Sequence, residues 1–243
     1  MPERKTLVVT RGIIWGSLIV LIVAAACVRL GFWQLARLEQ RRTLNEATSR
    51  RMREPPVQLS AVISDSAGLI SRRTVLNGEY DDAHTIVIAG RSLRGVPGVH
   101  VLTPMHVGGA AVLVNRGWLP SADAASVETD RVREPGPRNL PALLTPLPDN
   151  YGTKAAPDSF QRVWYSMDAH RLQRQFPYRV LPVIAQILPY ENQPRFPVRL
   201  QPREMDEGPH LGYAIQWFSF ALIAIVGWIV LMLRSREVKT LKT

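Results

Sequence analysis

A chain of 243 residues, 46% of them apolar, is long enough for one ordinary domain plus anchoring segments. Its formal charge of +10 would suit nucleic acid in a soluble protein, but here the basic residues crowd the flanks of two apolar runs. A single cysteine, Cys27, excludes a disulfide framework, a Cys-x-x-Cys redox or copper site within one chain, and covalent haem attachment of the c type.

The first apolar run is Ile13 to Val28, and Leu30-Gly31-Phe32-Trp33 extends it past Arg29. An arginine near the end of a span can snorkel to the headgroups. The Ala24-Ala25-Ala26-Cys27 stretch also has the look of a lipoprotein signal or an Ala-x-Ala cleavage site. The apolar pattern continues beyond the cysteine, which favours an uncleaved span. "LGFWQLARLEQRRTLNEATSRRMR" then carries on helically, with Leu35, Leu38 and Leu44 near one face, until Pro55-Pro56 ends it.

After those prolines the period changes. "RTVLNGEY" (73–80), "HTIVIAGR" (84–91), "GVHVLTPMHV" (98–107) and "AAVLVNRGWL" (110–119) are short runs rich in Val, Ile and Thr. Short turns separate them, the last being Gly108-Gly109, so they predict a four-strand antiparallel meander. Residues 120–160, punctuated by prolines and acids, predict a surface excursion. "RVWYSM" (162–167) predicts a strand, and Asp168 can N-cap a short helix through Arg174. "RVLPVIAQILP" (179–189) and "RFPVRL" (195–200) carry prolines that suit edge strands. Leu211 to Leu233 contains no charged side chain and is ~34 Å long as a helix, enough to cross a bilayer.

Orientation follows from charge. Arg234, Arg236, Lys239 and Lys242 follow the second run, whereas Glu204, Asp206 and Glu207 precede it beside Arg199 and Arg203. This asymmetry places the C-terminus in the cytoplasm, and two spans place the N-terminus there too. The equally basic flank after the first run (Arg29, Arg37, Arg41, Arg42) argues the other way, but long loops largely escape the rule. The expectation is a membrane protein with two transmembrane helices flanking an extracytoplasmic β-rich α+β domain, a small antiparallel barrel or sandwich. Its parts are a cytoplasmic N-terminus (1–11), spans at 12–34 and 209–233, the domain at 35–208 and a cytoplasmic basic tail (234–243).

"LGFWQLARLEQRR", "GEY", "RGVPGVHVLTP", "VLVNRGWLP" and "HLGYAIQWF" occur in that order, from about Leu30 to Phe220. Together they resemble the Surfeit locus protein 1 family, which assists assembly of haem-copper terminal oxidases. The resemblance implies a non-enzymatic assembly factor in the plasma membrane that handles haem a or stabilises oxidase subunit I. Subunit I and haem a synthase are the partners it suggests, and haem a, held transiently, is the cofactor.

His210 carries the site hypothesis. Gly208 suits a helix cap and Pro209 the first helical position, so His210 falls in the first turn. The positive end of the helix dipole there disfavours imidazolium, and neutral imidazole is the form that ligates iron. The family motif implies that His210 is the axial ligand of haem iron; the plainer alternative is an interfacial histidine that hydrates the helix end, and the free first-turn amides with Arg203 nearby could hold a propionate. Tyr213, Ala214 and Trp217 share its helical face, which could pack on a porphyrin or equally on the first span. Arg37 could reach a propionate or an acidic partner, or could simply snorkel, and Gln216 could bond across to Gln34. Gly117 is expected to allow a bulge or a close approach. His84, His100, His106 and His170 lack metal-ligand spacing; His100 and His106 lie ~20 Å apart along an extended chain. No nucleophile motif frames a serine, so an enzyme has little support. The alternative is a cofactor-free, membrane-anchored adaptor that docks oxidase subunits.

Overall fold

The computed structural model describes residues 11–59, 66–107, 109–147, 159–202 and 204–240. Its elements are α1 (Arg11–Arg53), β1 (Arg73–Gly78), β2 (Ile86–Leu93), β3 (Val96–Val107), β4 (Ala110–Pro120), β5 (Arg138–Pro146), β6 (Val163–Trp164), α2 (Ala169–Gln173), β7 (Val180–Ile187) and α3 (His210–Thr240). They form two compact units, one from residues 1–47 and 205–243, the other from residues 48–204.

The sheet unit departs from the expected barrel or sandwich. It is one open seven-stranded sheet in the order β1-β5-β7-β4-β3-β2-β6. The β2–β3–β4 meander is present, with Val107 opposite Ala110 across the tight turn and Gly109 at φ +88°. β1 does not join that meander; it pairs with β5 at the far edge. β7 enters between β5 and β4 and runs parallel to β4, and β6 runs parallel to β2. The sheet is therefore mixed, because a strand that returns by a long crossover is free to pair parallel. Leu76 of β1 and Met105 of β3 share one core although three strands separate them in the order, so the sheet is curled. It is not closed: a single bridge, Tyr80 with Met105, links the chain beyond β1 to β3.

Alternation explains the core. Val112 and Val114 of β4, with Leu181, Val183, Ala185 and Ile187 of β7, point to one face. Leu113, Val180 and Ile184 point to the other, where Trp164, Leu172 and Phe176 cover them. Strands buried on both faces read as continuous apolar runs, as these do. The expected surface excursion contains β5, whose Leu140, Ala142 and Leu144 enter the first core. Its prolines at 141 and 146 disguised it. "RFPVRL" contributes an isolated bridge, Trp118 with Val198, rather than a strand. Asp168 caps α2 as expected, accepting a hydrogen bond from the Arg171 amide at 2.9 Å.

α1 and α3 are both long and apolar enough to cross a membrane. α1 is ~65 Å long, so it outruns a bilayer's hydrocarbon core, about 30 Å thick. The two pack antiparallel along a seam of small residues. Ala24, Cys27, Gly31 and Leu38 are the buried positions of α1, and Ala24 and Cys27 cluster with Ala221. A Cβ on Gly31 would lie 2.6 Å from the Phe218 ring, so any other residue there would push the ring aside. Nearer the other end, the Trp228 indole donates to Ser17 Oγ at 2.9 Å. Small residues at a helix crossing let the backbones close up, which is how helices associate in lipid.

Candidate functional site

Within the sheet unit, several sequence motifs meet in one buried knot. β4 slips register between Val101 and Leu102 of its partner, so Arg116 is the extra residue of a bulge and turns inward, 1% exposed. Its Nη2 donates to Glu134 Oε1 at 2.8 Å and to the Val132 carbonyl, while its guanidinium lies 4.6 Å over the Tyr80 ring. Arg199 Nη2 donates to the same Glu134 oxygen at 2.7 Å, and Arg199 Nη1 reaches the Arg116 carbonyl. Gly117 sits at φ +124°, and a Cβ there would strike the Val198 carbonyl, so the expected bulge and close approach both occur. Trp118 is 6% exposed and belongs to the core, with its indole against Gly98. These residues hold the sheet together.

Two histidines of this unit, His84 and His106, pack on the same Tyr178 ring. His84 Nδ1 lies 2.6 Å from Asp81 Oδ2, which also accepts the Tyr178 hydroxyl at 2.5 Å. Burial alone would raise the Asp81 carboxyl, but the Tyr178 and His84 hydrogen bonds outweigh it and hold the group below its usual range. Burial, then Arg91, pushes His100 down to about 4. His106 packs on the Tyr178 ring at 4.7 Å. Among the described residues, no three His, Cys, Asp or Glu side chains are grouped to hold a metal ion.

The helix unit holds the other candidate. α3 begins at His210, preceded by Gly208 at φ +74°, whose amide donates to Asp206 Oδ1 at 2.8 Å. Three residues of α1 hold this helix mouth. Arg42 Nε and Nη2 bind both Glu207 oxygens at 3.0 Å, and Asn45 Nδ2 donates to the Asp206 carbonyl at 3.3 Å. The third contact is His210 Nδ1 to Gln34 Oε1 at 2.8 Å. Gln34, Arg42 and Asn45 are eight and three residues apart, which puts them along one helical face. A half-buried imidazole is thus fixed at the end of an apolar helix, one nitrogen engaged and the other without a hydrogen-bond partner among the described residues.

The expected site residues do not all converge on that imidazole. Trp217 packs against the Ala24, Cys27 and Ala221 cluster, and its ring is 5.9 Å from Phe220. Ala214 is buried, whereas Tyr213 is 48% exposed. Arg37 is exposed and donates to Gln40 Oε1 at 3.0 Å. The expected Gln216–Gln34 bond is not made, because Gln34 is taken by His210 and Gln216 is exposed. Arg203 lies outside the described residues. Sequence reasoning missed the partners: an uncharged glutamine at the end of an apolar run was the only signal for Gln34, and nothing marked Arg42 and Glu207 as a pair.

Known proteins match this chain over most of its length. The chain is 25% identical over 240 residues to a SURF1-like protein of Caenorhabditis elegans, covering 88% of this chain and 73% of that one. It is 25% identical over 223 residues to a SURF1-like protein of Rickettsia felis, covering 88% and 95%. Surfeit locus protein 1 of Arabidopsis thaliana is 28% identical over 154 residues, covering 54% and 44%. The model of the SURF1 family matches residues 21–222, which takes in α1 from its eleventh residue on, the whole sheet and the first turns of α3 with His210. The chain belongs to the SURF1 family.

Proposed function

We propose that the protein is a non-enzymatic assembly factor for a haem-copper terminal oxidase, handling haem a or stabilising subunit I during maturation. In this reading α1 and α3 anchor it in the plasma membrane, both termini are cytoplasmic, and the sheet unit is extracytoplasmic. Subunit I and haem a synthase are its partners. One observation carries the reading: a histidine held at the mouth of an apolar helix, with Nδ1 engaged by Gln34 and its other nitrogen unpartnered among the described residues. That donor fits a haem iron seeking one axial imidazole. His210 would hold the iron, and exposed Tyr213 and Arg37 are the candidate supports for the ring and its carboxylates. Bound haem a would supply the redox iron that the oxidase needs; this chain's part is to bind and orient it.

The test is the haem-to-protein ratio of His210→Ala, purified from a haem a-producing host in the same detergent as the parent. The ratio and oxidase maturation should both fall while membrane yield stays, and His100→Ala should keep its haem. Full haem with an unchanged spectrum in His210→Ala would refute the ligand role and favour the cofactor-free adaptor.

A further inference from the structure

The axial-ligand reading leaves open which ring nitrogen His210 offers, and why. A histidine can ligate only through a nitrogen that carries a lone pair, so its tautomer decides whether it is a ligand at all. In water, neutral imidazole exchanges between two tautomers. Here one ring nitrogen has a partner chosen by tertiary structure: Gln34 Oε1, 2.8 Å from Nδ1 and 176 positions away in sequence. With the Gln34 amide oxygen turned to the ring, that oxygen can only accept, so this orientation places the proton on Nδ1. The lone pair then falls on Nε2.

What surrounds Nε2 matters equally. Gly208 lies beside that edge. A Cβ built on it would sit 3.4 Å from both Nε2 and Cδ2, in van der Waals contact with the edge that bears the lone pair. Gly208 also has φ +74°, where side chains are rarely found, so the conformation and the bare edge both call for glycine. The loop cannot drift away freely, because Glu207 is clamped by Arg42 and the Asp206 carbonyl by Asn45. The face of α1 that supplies Gln34 therefore also sets where Gly208 lies.

We infer that Gln34 is a positioning residue that holds His210 as the Nδ1–H tautomer, and that Gly208 keeps the Nε2 edge open for iron. This rests on the axial-ligand reading but makes a claim about the haem-free protein. Hydrogen-bonded partners of a ligating histidine ordinarily orient the ring and raise its basicity, and losing them typically costs 10–100-fold in affinity. A neutral amide orients without drawing the ring toward imidazolate as a carboxylate would.

The experiment uses the full chain, labelled with 15N-histidine, made without haem and kept in detergent micelles. Nitrogen shifts of His210, identified by their absence in His210→Ala, should report a protonated Nδ1 and a bare Nε2. Gln34→Leu should move both shifts toward a tautomer mixture, and Gln34→Glu should restore Nδ1–H. Gly208→Ala should leave the tautomer as it is. Titration with ferric protoporphyrin IX should then show affinity lower by ~10–100-fold in Gln34→Leu and reduced in Gly208→Ala. Gln34→Glu should bind with a lower reduction potential, a change that packing alone would not produce. A proton on Nε2 in the parent, or no change of tautomer in Gln34→Leu, would overturn the assignment. If the parent shows Nδ1–H but binds no porphyrin, the positioning role of Gln34 stands and the axial-ligand reading falls.

Discussion

Glu134 offers a quantitative test of the sheet unit. Its side chain is 6% exposed and one of its oxygens accepts from two guanidinium groups, at 2.8 Å from Arg116 and 2.7 Å from Arg199. Those arginine side chains are themselves 1% and 0% exposed. Glu134→Ala leaves two buried cations. Arg116 keeps Asp82 at 3.5 Å, and Arg199 keeps the Arg116 carbonyl and, at 3.4 Å, the Tyr190 hydroxyl. Removing one partner of a buried pair costs about 3–5 kcal/mol. Glu134→Gln keeps an acceptor oxygen and the shape, exchanging two ion-pair hydrogen bonds for bonds from charged donors to a neutral oxygen, for a cost of roughly 2–3 kcal/mol. The assay is hydrogen exchange of the β4 and β7 amides in the full chain, since Val112 to Val114 and Val183 to Ala185 are paired and wholly or almost wholly buried. For exchange through opening of the sheet, 3–5 kcal/mol is an acceleration of about 150- to 5,000-fold in Glu134→Ala. Acid adds a second signature. Burial alone would raise the Glu134 carboxyl, but hydrogen bonds from Arg199 and Arg116 outweigh it and hold it below its usual range. A depressed carboxylate contributes stability above its unfolded value, about 4.3, and that contribution is lost as pH falls through the folded value. The opening free energy of the parent, taken from exchange after correction for the intrinsic rate at each pH, should therefore fall below about pH 4.3 more steeply than that of Glu134→Gln. An acceleration under about tenfold in Glu134→Ala would refute the claim that this cluster is desolvated and holds the sheet.

Gly117→Ala should speed the same exchange, because φ +124° is a region for glycine and the Val198 carbonyl occupies the Cβ position. Backbone strain alone accounts for roughly 1–3 kcal/mol, and unchanged exchange would count against the bulge geometry. For topology, a reporter active only in the cytoplasm should work when fused after Thr243 and fail when inserted near Asn150; the reverse pattern would invert the proposed orientation.

The candidate site was half legible. His210 announces itself as a polar residue at the entry of an apolar run, after a Pro that suits the first helical turn. Its partner does not. Gln34 and Gln216 are equal candidates for an interhelical bond, because each is a lone amide within an apolar stretch. Which one turns inward depends on the rotation of each helix about its axis, and that is set by the packing of Gly31 on Phe218 and of Trp217 on Ala24 and Cys27. Likewise the Arg-Gly-Trp motif signalled a bulge, yet its reason lies in residues far along the chain, Glu134 and Arg199.

The sequence alone determined two apolar helices, because hydropathy over some twenty residues is a local property. It also determined the β2–β3–β4 meander, since alternation and tight turns act between neighbours, and the Asp168 cap, which reaches three residues. Only the tertiary structure decided that β1 leaves its neighbour β2 for β5, and that β7 enters parallel beside β4. Strand order is a contest among many apolar faces of similar pattern, and it is settled by how they fill one shared core. The same holds at the helix mouth. A histidine's ring nitrogens are alike in the sequence, and a glutamine 176 residues away distinguishes them.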